Sequence, residues 1–236
     1  PSPAASLTYP APLSSTQLNA TSSVAGTFIY NPSSGTILNA GTNQLVATFT
    51  PTDTASYSTG GTITNSVVVG KGRHTITFGS LATKQVGDAA FSLTGSASSG
   101  LTVTYTSSNP NVATVSGSTV TIVGAGTTVI RASQAGNLSW NVATEVEQTL
   151  TVLPRTVLAI NVATVNGKEY DGNRTANVDF SLAELEGVGA GDDVQLVSDS
   201  AVGTYDSASA GVGKSVSVTG LSLAGADAGR YEIGPA

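Results

Sequence analysis

A run of small residues recurs in this chain at a fixed interval. Ala40-Gly41-Thr42, Ala125-Gly126-Thr127 and Ala210-Gly211-Val212 stand 85 residues apart and then 85 again. Each leads into alternating apolar and polar residues, then into a small polar stretch closed by one large aromatic. Those endings are Asp53-Thr54-Ala55-Ser56-Tyr57, Gly136-Asn137-Leu138-Ser139-Trp140 and Asp227-Ala228-Gly229-Arg230-Tyr231. A fixed period means one structural unit used repeatedly, which constrains the fold more than any single residue does. A length of 236 residues would suggest one or two domains, but the period sets three.

Within the period, short runs with a repeat of two alternate with turn chemistry. Residues 1–72 open on Pro1, Pro3, Pro10 and Pro12 around Leu7-Thr8-Tyr9, an extended segment suited to a sheet edge. Strands are expected at 16–21, 26–30, 44–49 and 62–69, with Leu45, Ala47 and Phe49 on one face. Residues 73–154 give seven short strands at 75–78, 90–94, 101–107, 112–116, 119–123, 127–132 and 146–153, the pattern of a two-sheet sandwich. Ser116-Gly117-Ser118 reads as a tight hairpin turn. Residues 155–236 give strands at 157–165, 176–182, 194–197 and 214–223, and 180–186 is read as strand because Val178, Phe180 and Leu182 alternate. No helix of useful length is expected.

The fold class is therefore all-β: three tandem immunoglobulin-like β-sandwich units, at 1–72, 73–154 and 155–236. The junctions Lys71-Gly72-Arg73 and Leu153-Pro154-Arg155 are too short to be flexible tethers, so the units should stand end to end as a semi-rigid extended rod. After Tyr57 the first unit continues through Val67-Val68-Val69, and after Trp140 the second continues through Leu150-Thr151-Val152. After Tyr231 only Glu232-Ile233-Gly234-Pro235-Ala236 remain. The third unit is thus expected to lack its last strand, through truncation or because another chain donates one to the open edge.

Composition narrows the functions. With no Cys, disulfides, thiolate metal sites and cysteine catalysis are excluded. Charged residues make up 10% of the chain, and all of the net charge of −6 lies in 155–236, which carries eleven acids against five bases. A basic patch for nucleic acid is absent. No apolar run is long enough to span a membrane. The start lacks the pattern of a signal peptide, and the absence of Met suits an internal or processed piece of a longer chain.

Several stretches resemble known repeats. Leu13–Ala20, Leu38–Thr42 and Phe49–Tyr57 resemble bacterial immunoglobulin-like repeats of large secreted surface proteins. Val103–Pro110 with Val112–Val115 resembles a second repeat type of that class. Lys168-Glu169-Tyr170-Asp171-Gly172, Gly187-Val188 with Ala190–Val194, and Val218–Leu221 with Gly225–Gly229 are similar to the YDG family, which goes together with MBG repeats. The resemblance implies β-sandwich modules strung in arrays within adhesins and other cell-surface or secreted proteins, with no catalytic residues to carry over. Trp140 departs from it, standing where the repeat often has Tyr.

Among candidate sites, Tyr57, Trp140 and Tyr231 read as structural corner aromatics, each buried ahead of a last strand with its polar atom on nearby backbone. A sugar-stacking platform is the alternative. Gly41, Gly126 and Gly211 read as turn glycines with positive φ. His74 stands alone beside a junction, so a zinc site or serine triad lacks its parts. Asp171, Asp192 and Asp193 are weak calcium candidates; Asp192 and Asp193 are adjacent, and no Asp-x-Asp-x-Asp series supplies the six to eight oxygens calcium takes. A facing carboxylate pair for glycoside chemistry is not evident either. No other metal or cofactor is expected.

The expected function is a structural stalk or spacer of a bacterial cell-surface or secreted adhesin-like protein, extracellular and without catalysis. Its partners would be neighbouring domains of the same long chain. One alternative is a filament subunit, self-associating by strand exchange at the unpaired edge of the third unit. The other is a module binding carbohydrate or a host protein, which would need exposed aromatics such as Tyr170, Tyr205 or Trp140.

Overall fold

The computed structural model describes residues 5–161 and 163–235. Apart from one 3₁₀ turn at Ala228–Arg230, its regular elements are short strands, and the chain is all-β. The sheets fall into three sets of residues, spanning 7–70, 76–153 and 156–233. The expectations for Pro1, Pro3 and Val162 lie outside the described residues.

The first set is one four-stranded sheet, ordered Leu7–Thr8, Gly61–Gly70, Gly41–Pro51 and Gly26–Asn31. Gly41–Pro51 and Gly61–Gly70 pair antiparallel over nine positions, with Leu45 opposite Asn65 and Phe49 opposite Gly61. The period of two places Leu45, Val67 and Val69 on one face, where they pack with Leu13, Leu18 and Leu38. Those last three come from loops. The strand expected at 16–21 is a turn, because the Ser14 carbonyl accepts from Gln17 N at 3.1 Å and Leu18 N at 3.0 Å. The Ser14 hydroxyl also donates to Gln17 Oε1 at 3.0 Å. Local hydrogen bonds of this kind compete with a sheet ladder, and here they win. The core face is covered by a folded-back loop, tied by one antiparallel bridge between Pro12 and Ile37.

The second set holds a four-stranded sheet, ordered Lys84–Gln85, Val146–Leu153, Gly126–Ser133 and Thr104–Ser107. A three-stranded sheet runs Ala113–Ser116, Thr119–Ile122 and Phe91–Ser92, and a small pair joins Ile76–Thr77 to Ser96–Ala97. The hairpin at Gly117-Ser118 pairs Ser116 with Thr119, as the turn residues predict. Val120, Ile130 and Leu150 have no exposed surface.

The third set holds three small sheets: Glu184–Glu186, Thr156–Asn161 and Tyr231–Ile233; Thr164–Asn166, Thr175–Asp179, Val202–Tyr205 and Val216–Thr219; and Gln195–Val197 with Ser222–Ala224. Three expected strands are broken. The one at 157–165 divides between Thr156–Asn161 and Thr164–Asn166, which lie in different sheets. Gly220, at φ 79, divides 214–223. A turn at Ser181-Leu182 divides 176–186, where Asp179 Oδ1 accepts from Ser181 N at 2.8 Å. Its core is thin, for only Leu158, Ala176 and Tyr231 are buried apolar residues among those described.

One topological feature is common to the three sets. In each, an early strand pairs in parallel with the leaving strand: Leu7 with Val69, Lys84 with Val152, and Thr156 with Tyr231; in the second set Ile76–Thr77 comes first and pairs with Ser96–Ala97. The expectation that the last unit ends a strand short counted onward from the aromatic. Tyr231 instead opens the strand Tyr231–Ile233, which pairs in parallel with Thr156–Asn161 and stands last in its sheet's order.

Backbone contacts divide the chain into two compact units. One comprises 1–79, 94–105 and 131–147, and the other 80–93, 106–130 and 148–236. Each contains one of the short junctions.

Candidate functional site

In the first compact unit the junction is built from an alternation that the sequence hides. Gly72, His74, Ile76 and Phe78 are buried while Lys71, Arg73, Thr75 and Thr77 are exposed, so the linker has the two-residue period of a strand. It is also hydrogen-bonded as one. Gly72 bridges Trp140 in parallel, donating its N–H to the Ser139 carbonyl at 2.9 Å and accepting from Asn141 N at 2.9 Å. The Asn141 side chain donates to the carbonyls of Lys71 and Gly72, both at 3.2 Å, and Lys71 Nζ donates to the Asn137 carbonyl at 2.8 Å.

Three rings close over this backbone. Trp140 stacks on His74 with centroids 5.5 Å apart and planes at 11°, and meets Tyr9 edge-on at 5.1 Å. Aromatic pairs in these geometries contribute beyond the area they bury. A Cβ on Gly72 would stand against the Tyr9 carbonyl and 2.7 Å from Trp140 Cζ3, so the ring occupies the space left by the missing side chain. His74 is 7% exposed and its Nδ1 contacts the Ser99 hydroxyl. Ser139 Oγ accepts from Ala40 N and donates to Asn39 Oδ1, each at 3.3 Å, joining this loop to the first Ala-Gly turn.

The second junction, inside the other compact unit, uses different chemistry at the same place. Gln85 Nε2 reaches the Pro154 carbonyl at 3.1 Å, Thr156 Oγ1 at 2.9 Å and the Arg230 carbonyl at 3.2 Å. Arg230 pairs with Asp88 at 3.3 Å and with Asp192 at 3.2 Å, with all three side chains mostly shielded. Gly87, at φ 100, lies so close to Gly229 that a Cβ would meet the Gly229 carbonyl. Tyr231 is 7% exposed; its hydroxyl accepts from Gly189 N at 3.0 Å and donates to Asp192 Oδ2. That bond to a carboxylate raises the phenol above its ordinary value, the Gly189 N–H opposing it.

The three repeat aromatics therefore have three environments. Tyr231 is buried and bonded, Trp140 is half-buried against the linker, and Tyr57 is 49% exposed in a loop, 52–60, that is exposed throughout. Besides the bond from Gly189 N to Tyr231, hydroxyl-to-backbone anchors occur at Tyr30, which accepts from Ala20 N at 2.9 Å, and at Tyr105, which donates to the Gly95 carbonyl at 3.1 Å. Nothing in the period marked those two. Of the turn glycines, Gly41 and Gly126 take φ of 122 and 137, whereas in the third turn the positive φ belongs to Gly213, at 67, and not to Gly211.

The acids considered for calcium are engaged separately. Asp171 pairs with Lys168 at 2.8 Å and accepts from Asn173 N at 3.0 Å, and the Lys168 bond, followed by that backbone bond, holds its carboxyl below the usual range. Asp192 serves Arg230 and Tyr231. Asp193 accepts from Ala226 N at 3.1 Å, and its own N–H donates to Asp227 at 3.0 Å. Among the described residues no three His, Asp or Glu side chains are grouped to hold a metal ion.

Tyr170 and Asp171 of the Tyr-Asp-Gly motif line a cleft of about 420 Å³ with Lys168, Tyr205 and Lys214. Tyr170 is 71% exposed. Both lysines are turned inward, Lys168 also to Asn173 Oδ1 at 2.5 Å and Lys214 to Ser207 Oγ at 2.5 Å and the Ser209 carbonyl at 2.6 Å.

Residues 154–236 match the YDG domain family. The YDG segment thus begins at the second junction and is preceded by β-rich segments. No curated protein matches the chain. Among solved structures, human protocadherin-24 EC1-2 is 14% identical over 54% of this chain and 77% of its own, at a TM-score of 0.28. Domains 1–6 of the surface layer protein SbsC are 17% identical over 84% of this chain and 29% of their own, at 0.31. Drosophila N-cadherin EC1-4 is 10% identical over 85% and 59%, at 0.29. Superpositions this loose carry no weight for fold or function, and the chain spans well under two thirds of the last two.

Proposed function

We propose that this chain is a load-bearing spacer: three tandem immunoglobulin-like β-sandwich units, at 1–72, 73–154 and 155–236, from the stalk of a bacterial cell-surface or secreted adhesin-like protein. It acts outside the cell and performs no catalysis. The observation that supports this reading is the parallel pairing of an early strand with the leaving strand in every sheet set, which the bridge from Gly72 to Trp140 continues into the linker. Tension applied at the two ends of such a unit slides the paired strands past each other. Their hydrogen bonds are then strained together, and none opens before its neighbour.

Single-molecule pulling between the ends tests this. The expected trace has discrete unfolding peaks, with the YDG segment yielding first because its core is thinnest. Smooth extension without peaks would sink the load-bearing role, and a compact small-angle scattering profile would sink the stalk.

A second reading has one observation in its favour. Tyr170 stands exposed beside the cleft, as a ring that stacks on a sugar would. Titration with bacterial and host glycans, and loss of any binding in Tyr170→Ala, would establish it. The filament alternative would use the outer edge of Tyr231–Ile233, the end strand of its sheet, and no other observation favours it.

A further inference from the structure

The loop that ends in the repeat aromatic is a receptor for a linker. It holds the linker that enters its own unit at the first junction, where Trp140 bridges Gly72. Around that bridge, the same loop also grips the unit before it: Ser139 and Asn137 reach Ala40 and Lys71. In the YDG segment the corresponding loop reaches back as well, through Arg230 to Asp88, while Tyr231 itself belongs to the leaving strand.

Tyr57 occupies the equivalent position in the first unit. Counting along the leaving strands from their buried valines, Val69 stands as far beyond Tyr57 as Val152 does beyond Trp140, and each valine pairs in parallel with an early strand of its own unit. The loop is already shaped for the task. Asp53 Oδ1 accepts from Ala55 N at 3.0 Å and Ser56 N at 3.1 Å, as Asn137 Oδ1 accepts from Ser139 N at 2.8 Å and Trp140 N at 2.9 Å. Yet among the described residues nothing covers it. Every residue from Thr52 to Gly60 is exposed, and Tyr57 is half uncovered.

We infer that the 52–60 loop, with Tyr57 at its centre, is the docking surface for a further β-sandwich unit carried ahead of it on the same polypeptide. The occupant's chemistry follows from the filled Gly72–Trp140 example. It is a short extended linker that offers a backbone N–H and C=O and has a residue without a side chain facing the ring. Behind that linker comes a unit end with an exposed turn backbone like Asn39-Ala40. A linker arriving at Tyr57 would run in the parallel sense in which Leu7–Thr8 already joins Gly61–Gly70. The inference rests on the tandem-unit reading, and the intact Gly72–Trp140 junction in the same molecule reports on that reading separately.

The test is an extended chain in which a copy of residues 1–77 is joined directly ahead of the full sequence. That length sets the copy's Gly72 against Tyr57 in the register of the existing bridge. Amide hydrogen exchange at residues 55–57 is compared with the unextended protein, with amides 139–141 as the internal reference. Protection should rise at least tenfold in the extended chain. Gly72→Ala in the leading copy alone should abolish that gain and leave 139–141 unchanged. Equal exchange with and without the extension, while 139–141 stay protected, overturns the docking surface. Loss of protection at 139–141 in the unextended protein overturns the tandem reading itself. Protection of 55–57 in the unextended protein that grows with concentration identifies a second copy as the occupant and overturns the unit in line.

Discussion

Gly72 and Trp140 are fitted to each other: they bridge through their backbones, and the indole ring fills the space where a Gly72 side chain would begin. Gly72→Val puts three carbons into that space and against the Tyr9 carbonyl. Overfilling a packed site costs about 1–3 kcal/mol, and the upper end is expected here because part of the obstruction is backbone. Thermal unfolding should show the loss. A stability unchanged within error would mean that the linker is not held as the bridge describes.

Trp140→Ala and Tyr57→Ala form a contrasted pair. A fully buried large aromatic costs roughly 3–5 kcal/mol on truncation, so half-buried Trp140 should cost about 2. Tyr57 should stay within about 0.5 kcal/mol, as exposed positions do. Denaturant titrations of the two variants measure the difference, and equal losses would place Tyr57 in a core.

Leu158 is the largest fully buried side chain of the YDG segment, where buried apolar residues are few. Leu158→Ala should cost about 3 kcal/mol or more, as buried leucines do. The loss should appear as early unfolding of 156–233 in hydrogen exchange while Leu150 and Ile130 stay protected. Simultaneous unfolding of the whole chain would show that the segments do not melt separately.

Stability should fall at both ends of the pH scale, for opposite reasons. The carboxyls of Asp53, Asp171 and Asp179 are held below 3.8, first by bonds from the Ser56 side chain, the Lys168 side chain and the Ser181 backbone respectively. A depressed acid contributes stability above its unfolded value and loses it as pH falls through the folded one, so the acid loss begins below about 4. Tyr231 is the reverse, its phenol raised above 10.0 chiefly by Asp192. Its contribution is complete below 10.0 and disappears as pH rises through the folded value. Melting scans from pH 2 to 12 test both limbs, and Tyr231→Phe should remove part of the alkaline one.

The all-β character was legible because strands have a short period and little else in the sequence mimics it. The hairpin at Gly117-Ser118 and the long strands Gly41–Pro51, Gly61–Gly70 and Val146–Leu153 all fell where alternation placed them. The turn at Ser14–Leu18 did not, since a serine capturing neighbouring amides leaves no periodic trace. The junctions were legible as short linkers and no further. Gly72 is one of 27 glycines, and nothing local shows that a tryptophan 68 residues on fills the space beside it. Tyr231 misled for a related reason. The period located the aromatic, but the period does not say whether a strand starts after the ring or at it.

The carboxamide of Gln85 faces only acceptors: two carbonyls and a hydroxyl oxygen, from Pro154, Arg230 and Thr156. It can hold them because its nitrogen donates. Hydrolysis to a carboxylate replaces that nitrogen with an oxygen and sets negative charge against the same carbonyls. With no disulfide to hold the joint, the second junction's lifetime is thus limited by the chemical persistence of one amide.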